Sequence, residues 1–248
     1  MNPRAVGTIA KVTGPLFHPI VLSYLLIHDV GSWRFVPAWF RSFRGTFSPL
    51  SAAIPWLPFK ATRWLESYLR ADMKVFEYGS GGSTMFLTQH TGQVFTVEHD
   101  RVWYGLVVAA LLQRGITNCR YVLSEPRNIE RLSSEIFGAG REDPVQDERQ
   151  WEYPDMDFSD YVNTINAYPD RSFDFVLVDG RARGACLRLA VRKVQLGRYV
   201  MLDNSNNVEF AEALATMNSY ERIDFYGIAP GWPPRTLDDV GLASHLIA

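Results

Sequence analysis

Val75-Phe76-Glu77-Tyr78-Gly79-Ser80-Gly81-Gly82-Ser83-Thr84 is the stretch from which the rest of the chain can be read. A short apolar run closes on a carboxylate, a glycine cluster follows, and Thr84-Met85-Phe86-Leu87 then opens a helical pattern. That order describes a first strand turning tightly into a helix. Glycine suits such a turn for two reasons: the backbone visits angles closed to residues that carry a Cβ, and a ligand can lie against bare backbone. The segment reads as a nucleotide cradle.

Spacing narrows the nucleotide. The dinucleotide pattern G-x-G-x-x-G would put its third glycine where Thr84 stands, which argues against a pyrophosphate ligand. Beyond the helix, Gln93-Val94-Phe95-Thr96-Val97-Glu98-His99-Asp100 alternates like a strand and ends on a carboxylate about twenty residues past the loop. A Glu at a strand end is usually a solvated side chain, but after this loop Glu98 is the natural bidentate partner for two ribose hydroxyls. Trp103, five positions on, suits either an adenosine pocket or the packing of a helix start.

The arrangement E-x-G-x-G-G-S-T from Glu77 to Thr84 resembles the first motif of class I S-adenosylmethionine-dependent methyltransferases, with Ser83 where many members have another glycine. The resemblance spans roughly Pro55 to Tyr226. It implies an α/β, Rossmann-like fold with a mostly parallel seven-stranded sheet and helices on both faces. It also implies a cofactor site drawn from Glu77, Tyr78, Gly79, Ser80, Gly81, Ser83, Thr84, Glu98, His99, Trp103 and Ser124.

A second pattern lies further on. Ser172-Phe173-Asp174-Phe175-Val176-Leu177-Val178-Asp179 is a continuous apolar run suited to a strand buried on both faces, and it puts Asp179 at the carboxyl edge of a parallel sheet. A helix through Cys186 to Val194 leads to a strand from Gly197 that brings Asp203 and Asn204 to the same edge. V-D-G-R-A-R followed by L-D-N-S resembles a bacterial subgroup of these methyltransferases. Catechol-type O-methyltransferases place an Asp and an Asp-Asn pair in the corresponding positions, so the resemblance implies magnesium held by Asp179, Asp203 and Asn204. A hard dication takes oxygen ligands and lowers the pKa of an acceptor hydroxyl.

The lysine that those enzymes carry shortly after the first Asp is absent; Gly180, Arg181, Ala182 and Arg183 stand there. The alternative is that Asp179 acts as a metal-free base or orients substrate. Asp179, Arg181 and Asp203 are the expected catalytic residues. Arg181 and Arg183 read either as anion clamps for a carboxylate or phosphate or as a solvated helix start.

Composition sets outer limits. With 248 residues, 47% of them hydrophobic, the chain can bury one substantial core. A formal charge of −2 gives no basic field of the kind nucleic-acid binders show, which favours a small-molecule or glycan acceptor. Cys119 and Cys186 have no metal-ligand spacing and read as buried free thiols in a reducing compartment, so a cytoplasmic location is expected. The apolar run from Pro15 to Ile27, broken by His18, Pro19 and Ser23, falls short of the roughly twenty residues a membrane span needs. It reads as a helix packed on the core or on a dimer partner. The competing reading is a peripheral membrane contact helped by Trp33, Phe35, Trp39, Phe40, Arg34, Arg41 and Arg44.

The domain organisation expected is an N-terminal extension over residues 1–50 and a methyltransferase domain over 51–248, with an insertion at about 125–171. Trp151, Tyr153, Phe158 and Tyr161 are that insertion's apolar anchors, and a lid and a partly disordered loop are both open. A helix over Val208 to Asn218, a strand over Arg222 to Gly227 and a last strand over Leu242 to Ile247 complete the sheet. The expected activity is O-methylation of a sugar, glycan precursor or other small polar acceptor. Its rivals are a nucleotide-sugar or NAD-binding Rossmann protein and a non-catalytic cofactor-binding protein.

Overall fold

The computed structural model describes residues 30–43, 48–129, 144–148, 152–227, 229–231 and 242–247. A 3-10 stretch at Val30–Phe35 runs into α1 (Val36–Ser42); α2 (Pro49–Ala52) and α3 (Phe59–Tyr68) follow. Pro37 and Pro49 sit in first turns, where a missing N–H costs no helical bond. In α3, Phe59, Thr62 and Leu65 recur at three-residue spacing and are buried together. The strands and helices that carry the site come next: β1 (Lys74–Tyr78), α4 (Gly82–His90), β2 (Gln93–Glu98), α5 (Arg101–Gln113) and β3 (Cys119–Leu123).

Within the insertion, β4 (Arg127–Asn128) pairs antiparallel with β5 (Met156–Asp157), and α6 (Ser159–Asn163) leads back to the main sheet. There the chain forms β6 (Phe173–Val178), α7 (Arg183–Lys193), β7 (Val194–Leu202), α8 (Ala211–Ala215), β8 (Arg222–Gly227) and β9 (Leu242–Ile247). The seven-stranded sheet has the order β3-β2-β1-β6-β7-β9-β8. The pairs from β3 through β7 are parallel, and β9 is antiparallel to both β7 and β8. The expected fold is therefore present, including the final hairpin.

Alternation along the strands sends residues to two cores. Phe76, Tyr78, Val176 and Val178 face one way, with Phe158, Tyr161, Cys186 and Leu187; Val75, Phe175 and Leu177 face the other, with Leu65, Phe86 and Leu87. Each fully buried Leu or Phe contributes about 1.5–3 kcal/mol, and burial on both faces is what lets the parallel strands be apolar throughout. Register makes the strand ends level: Tyr78 pairs with both Val97 and Val178, and Val178 pairs with Leu202. The chain leaves β1 for β2 on one side and returns to β6 on the other. This switch point opens a crevice at the carboxyl edge, bordered by Gly79, Glu98 and Asp179, with Asp203 buried behind.

Three expectations change. The helix expected over Val208 to Asn218 is only a 3-10 turn, Val208–Phe210, and the short α8; Thr216 donates its hydroxyl to the Ala213 carbonyl, a bond that competes with helix propagation. β7 starts at Val194, earlier than Gly197, with a register irregularity opposite Phe173 and Phe175 and Gly197 at φ 72°. Among the N-terminal aromatics read as a membrane contact, Trp39 is fully buried and Phe35 stacks on Phe59 at 4.8 Å, so both serve packing on the body. The run Pro15 to Ile27 lies outside the described residues, as do Trp151 and Arg44. No helix among the described residues is long and apolar enough to cross a membrane.

Candidate active site

The glycine turn is fixed from behind. Gly79 has φ +88°, and a Cβ there would come within 2.9 Å of the Gly180 backbone, because the turns after β1 and β6 touch at the switch point. Gly81 N–H donates to Thr84 Oγ1 at 2.9 Å, and Thr84 Oγ1 donates to Glu77 Oε2 at 2.7 Å. Thr96 adds a second hydroxyl to the same oxygen at 2.9 Å. Glu77 is fully buried under the turn. Burial pushes its carboxyl up to about 7, against the hydroxyls of Ser83, Thr84 and Thr96. Thr84 at the third-glycine position is thus a strut for the loop.

At the tip of β2, Glu98 is oriented by its own chain. Its Oε1 accepts the N–H groups of His99 at 2.8 Å and Asp100 at 2.9 Å, and its Oε2 accepts the Ser80 hydroxyl at 2.5 Å. Tyr121 completes the chain with its hydroxyl 2.7 Å from Ser80 Oγ. Burial works to raise the Glu98 pKa, but His99, the Asp100 N–H and Ser80 outweigh it and hold the carboxyl below its ordinary value. Trp103 caps the arrangement: its indole N–H donates to the Ser80 carbonyl at 2.9 Å. Asp100 caps α5 by accepting the Trp103 N–H at 2.8 Å.

Across the crevice, Asp179, Asp203 and Asn204 do come together, but around a guanidinium. Arg183 Nη2 donates to Asp179 Oδ1 at 3.0 Å and to the Asp179 carbonyl at 3.1 Å. Nη1 donates to the Asp203 carbonyl at 2.7 Å, to Asn204 Oδ1 at 3.2 Å and to Asp203 Oδ2 at 3.4 Å. Nε donates to the Gly180 carbonyl at 3.0 Å. Arg183 is therefore neither a free anion clamp nor a solvated helix start. The three residues expected to hold magnesium point their oxygens at Arg183 instead, and their arrangement gives no support to a metal there.

Asp179 keeps 21% of its side chain exposed, toward the crevice. Its carboxyl is held well above the usual range, chiefly by burial and then by the neighbouring Asp203, with Arg183 acting in the opposite sense. Ala182 at φ 47° and Asn204 at φ 52° put non-glycine residues in the left-handed region on both sides of this cluster, a kind of strain that concentrates at functional sites.

Tyr153 brings the insertion to the cleft. Tyr153 places its hydroxyl 2.9 Å from His99 Nε2, and Arg181 lies 4.8 Å over the Tyr153 ring while pairing with Glu152. Its described part is thus packed, with Phe158 and Tyr161 fully buried. Asp147 and Glu148 reach the start of α7: Asp147 accepts the Ala182 N–H at 2.7 Å, and Glu148 accepts those of Arg183 and Gly184 at 3.1 and 2.6 Å.

The result is one cleft of about 350 Å³, lined by Gly79, Ser80, Glu98, His99, Asp100, Trp103, Tyr153, Asp179, Gly180, Arg181 and Arg183. Small-molecule sites start near this size. Five of the residues expected at the cofactor line it: Gly79, Ser80, Glu98, His99 and Trp103. The others stand behind. Glu77, Gly81, Ser83 and Thr84 lie in or beneath the loop, Tyr78 donates its hydroxyl to the Val162 carbonyl in the core, and the Ser124 N–H extends the β2–β3 ladder. Sequence reading missed Asp100, Tyr153 and Gly180 as lining residues; the phrase E-H-D carried a signal for Asp100, whereas nothing local marks Tyr153.

No protein-family model matches the chain. No curated protein sequence matches it either. Solved structures do. A Klebsiella pneumoniae protein provisionally named an O-methyltransferase aligns with 94% of this chain and 97% of its own, at 14% identity and TM-score 0.51. A Corynebacterium glutamicum protein aligns over 88% and 97%, at 10% identity and TM-score 0.51. An rRNA methylase from Streptococcus thermophilus aligns over 76% and 92%, at 10% identity and TM-score 0.46. At these identities the likeness is one of fold, and the fold is the Rossmann-like one of class I methyltransferases.

Proposed function

We propose that this chain is an S-adenosylmethionine-dependent methyltransferase acting on an oxygen of a sugar, glycan precursor or other small polar acceptor. The observation that carries the reading is the convergence of the Gly79–Ser80 turn and the Glu98 carboxylate on one cleft, with Asp179 facing them. Glu98 would hold the ribose hydroxyls, one of them replacing the Ser80 hydroxyl at Oε2. The bare backbone of Gly79 would face the amino-acid end, and Trp103 would flank the adenosine.

The cofactor supplies an activated methyl on a sulfonium, so the protein's task is mainly alignment, and well-oriented reactants gain roughly 7–11 kcal/mol. Asp179, which lines the cleft, would accept the acceptor's hydroxyl proton at a carboxylate oxygen. Tyr153 and the Glu152–Arg181 pair would shield that side. In this reading residues 1–50 are an extension of a methyltransferase domain over 51–248, and the insertion at about 125–171 forms the acceptor cover. The net charge of −2 supports a small polar acceptor over a polyanion.

Calorimetric titration with S-adenosylhomocysteine and, separately, NAD tests the reading. Saturable binding of the homocysteine product with no response to NAD is expected. Micromolar affinity for NAD alone would replace it with the dinucleotide-binding alternative.

A further inference from the structure

Arg183 has all five of its N–H donors available to a set of fixed oxygens, and its side chain is only 7% exposed. The oxygens include those that a divalent cation would need: Asp179 Oδ1, Asp203 Oδ2 and Asn204 Oδ1. We propose that the Arg183 guanidinium is the resident cation of this cluster, standing where a dication would otherwise bind, so that the cleft is assembled without a divalent metal. The inference concerns the same cleft but does not rest on the methyl-transfer reading.

Geometry supports it first. A magnesium or calcium ion draws its oxygens to one point at about 2.0–2.6 Å, whereas here they are spread along a planar fork at 3.0 to 3.4 Å from its nitrogens. A dication placed among them would share its ligands with a buried positive charge that does not give up its proton. Charge accounting agrees. A dication would match both carboxylates, while the guanidinium matches one and leaves a single excess negative charge that a proton can cancel.

The guanidinium is also aimed before any ligand arrives. Arg183 begins α7, where its backbone N–H and those of both neighbours are held by Asp147 and Glu148. Phe210 closes the far side, with the guanidinium carbon 5.9 Å from its ring centre. To swing aside for an ion the guanidinium would have to give up its bonds to Asp179, Gly180, Asp203 and Asn204.

Manganese titration of the full chain, followed by the loss of free-ion paramagnetic resonance signal, tests the proposal. The wild type is expected to take up no manganese at sub-millimolar concentration. Arg183→Ala should bind it at least about tenfold more tightly than the wild type, and Arg183→Ala with Asp203→Asn should lose that gain. Arg183→Lys, which keeps a positive charge, should behave like the wild type. Stoichiometric manganese binding by the wild type that disappears in Asp203→Asn would overturn the proposal, as would a folded Arg183→Ala with no gain. Should Arg183→Ala not fold, the wild type and Arg183→Lys still decide. Failure of S-adenosylhomocysteine to bind would leave these outcomes untouched.

Discussion

Glu77 and Glu98 show how two carboxylates at neighbouring strand ends are given opposite states. Glu98 meets backbone N–H groups and stays ionised, whereas Glu77 meets only hydroxyls in a dry interior and titrates at about 7. The sign for stability follows from the raised value. Glu77's contribution is fully present below its unfolded pKa of 4.5 and is lost as pH rises through about 7, a change on the order of 3 kcal/mol. Urea midpoints for wild type and Glu77→Gln, compared at about pH 5 and about pH 8, should show the wild type losing stability that the variant retains. Equal pH dependence in both proteins would contradict this. Gly79→Ala tests the turn itself: at φ +88° and 2.9 Å from the Gly180 backbone, the methyl should cost about 1–3 kcal/mol in chemical denaturation and weaken cofactor binding.

Residues of this kind were legible in unequal measure. Gly79 and Glu98 announce themselves through short-range spacing, since a turn and a strand tip are local events. The inward roles of Glu77 and Thr84 were not legible, because a sequence does not say which side of a strand end faces ligand and which faces the core. Arg183 is the sharpest case. Its neighbours in the cluster, Asp203 and Asn204, are twenty and twenty-one residues away, so V-D-G-R-A-R reads equally well as a clamp or a helix start.

Among elements, α7 is the one whose start holds the Asp179 side of the cleft. It follows directly on Asp179, and its first N–H groups are satisfied by Asp147 and Glu148 of the insertion rather than by a local cap. Glu148→Ala should destabilise the fold by about 1–2 kcal/mol in urea denaturation. It should also loosen Arg183 while leaving cofactor affinity nearly unchanged, since Glu98 and the glycine turn lie on the other flank. A matching loss of cofactor affinity would show that the two flanks are not separable. These bonds span 35 and 36 residues, which is why the insertion read only as a lid or a loose loop. The long apolar strands were clear by contrast. The helix after Asn204 was overextended because apolar spacing at Phe210, Ala213 and Met217 persists past the point where Thr216 turns its hydroxyl onto the backbone.

At the scale of the whole molecule, strand order does the positioning. Three pairs of level strand ends bring the glycine turn, the Glu98 tip and the Asp179–Asp203 cluster to one edge, and the change of direction between β1 and β6 opens the space between them. Fold class was readable because each strand is bounded by its own turn chemistry. The chemistry was not, because this fold carries many. The most direct test is a crystal structure of the chain with S-adenosylhomocysteine. It should show both ribose hydroxyls within hydrogen-bond reach of Glu98, the Ser80 hydroxyl moved off Oε2, and the thioether facing Asp179. An adenosine bound away from the Gly79 turn, with Glu98 still closed on Ser80, would contradict the account.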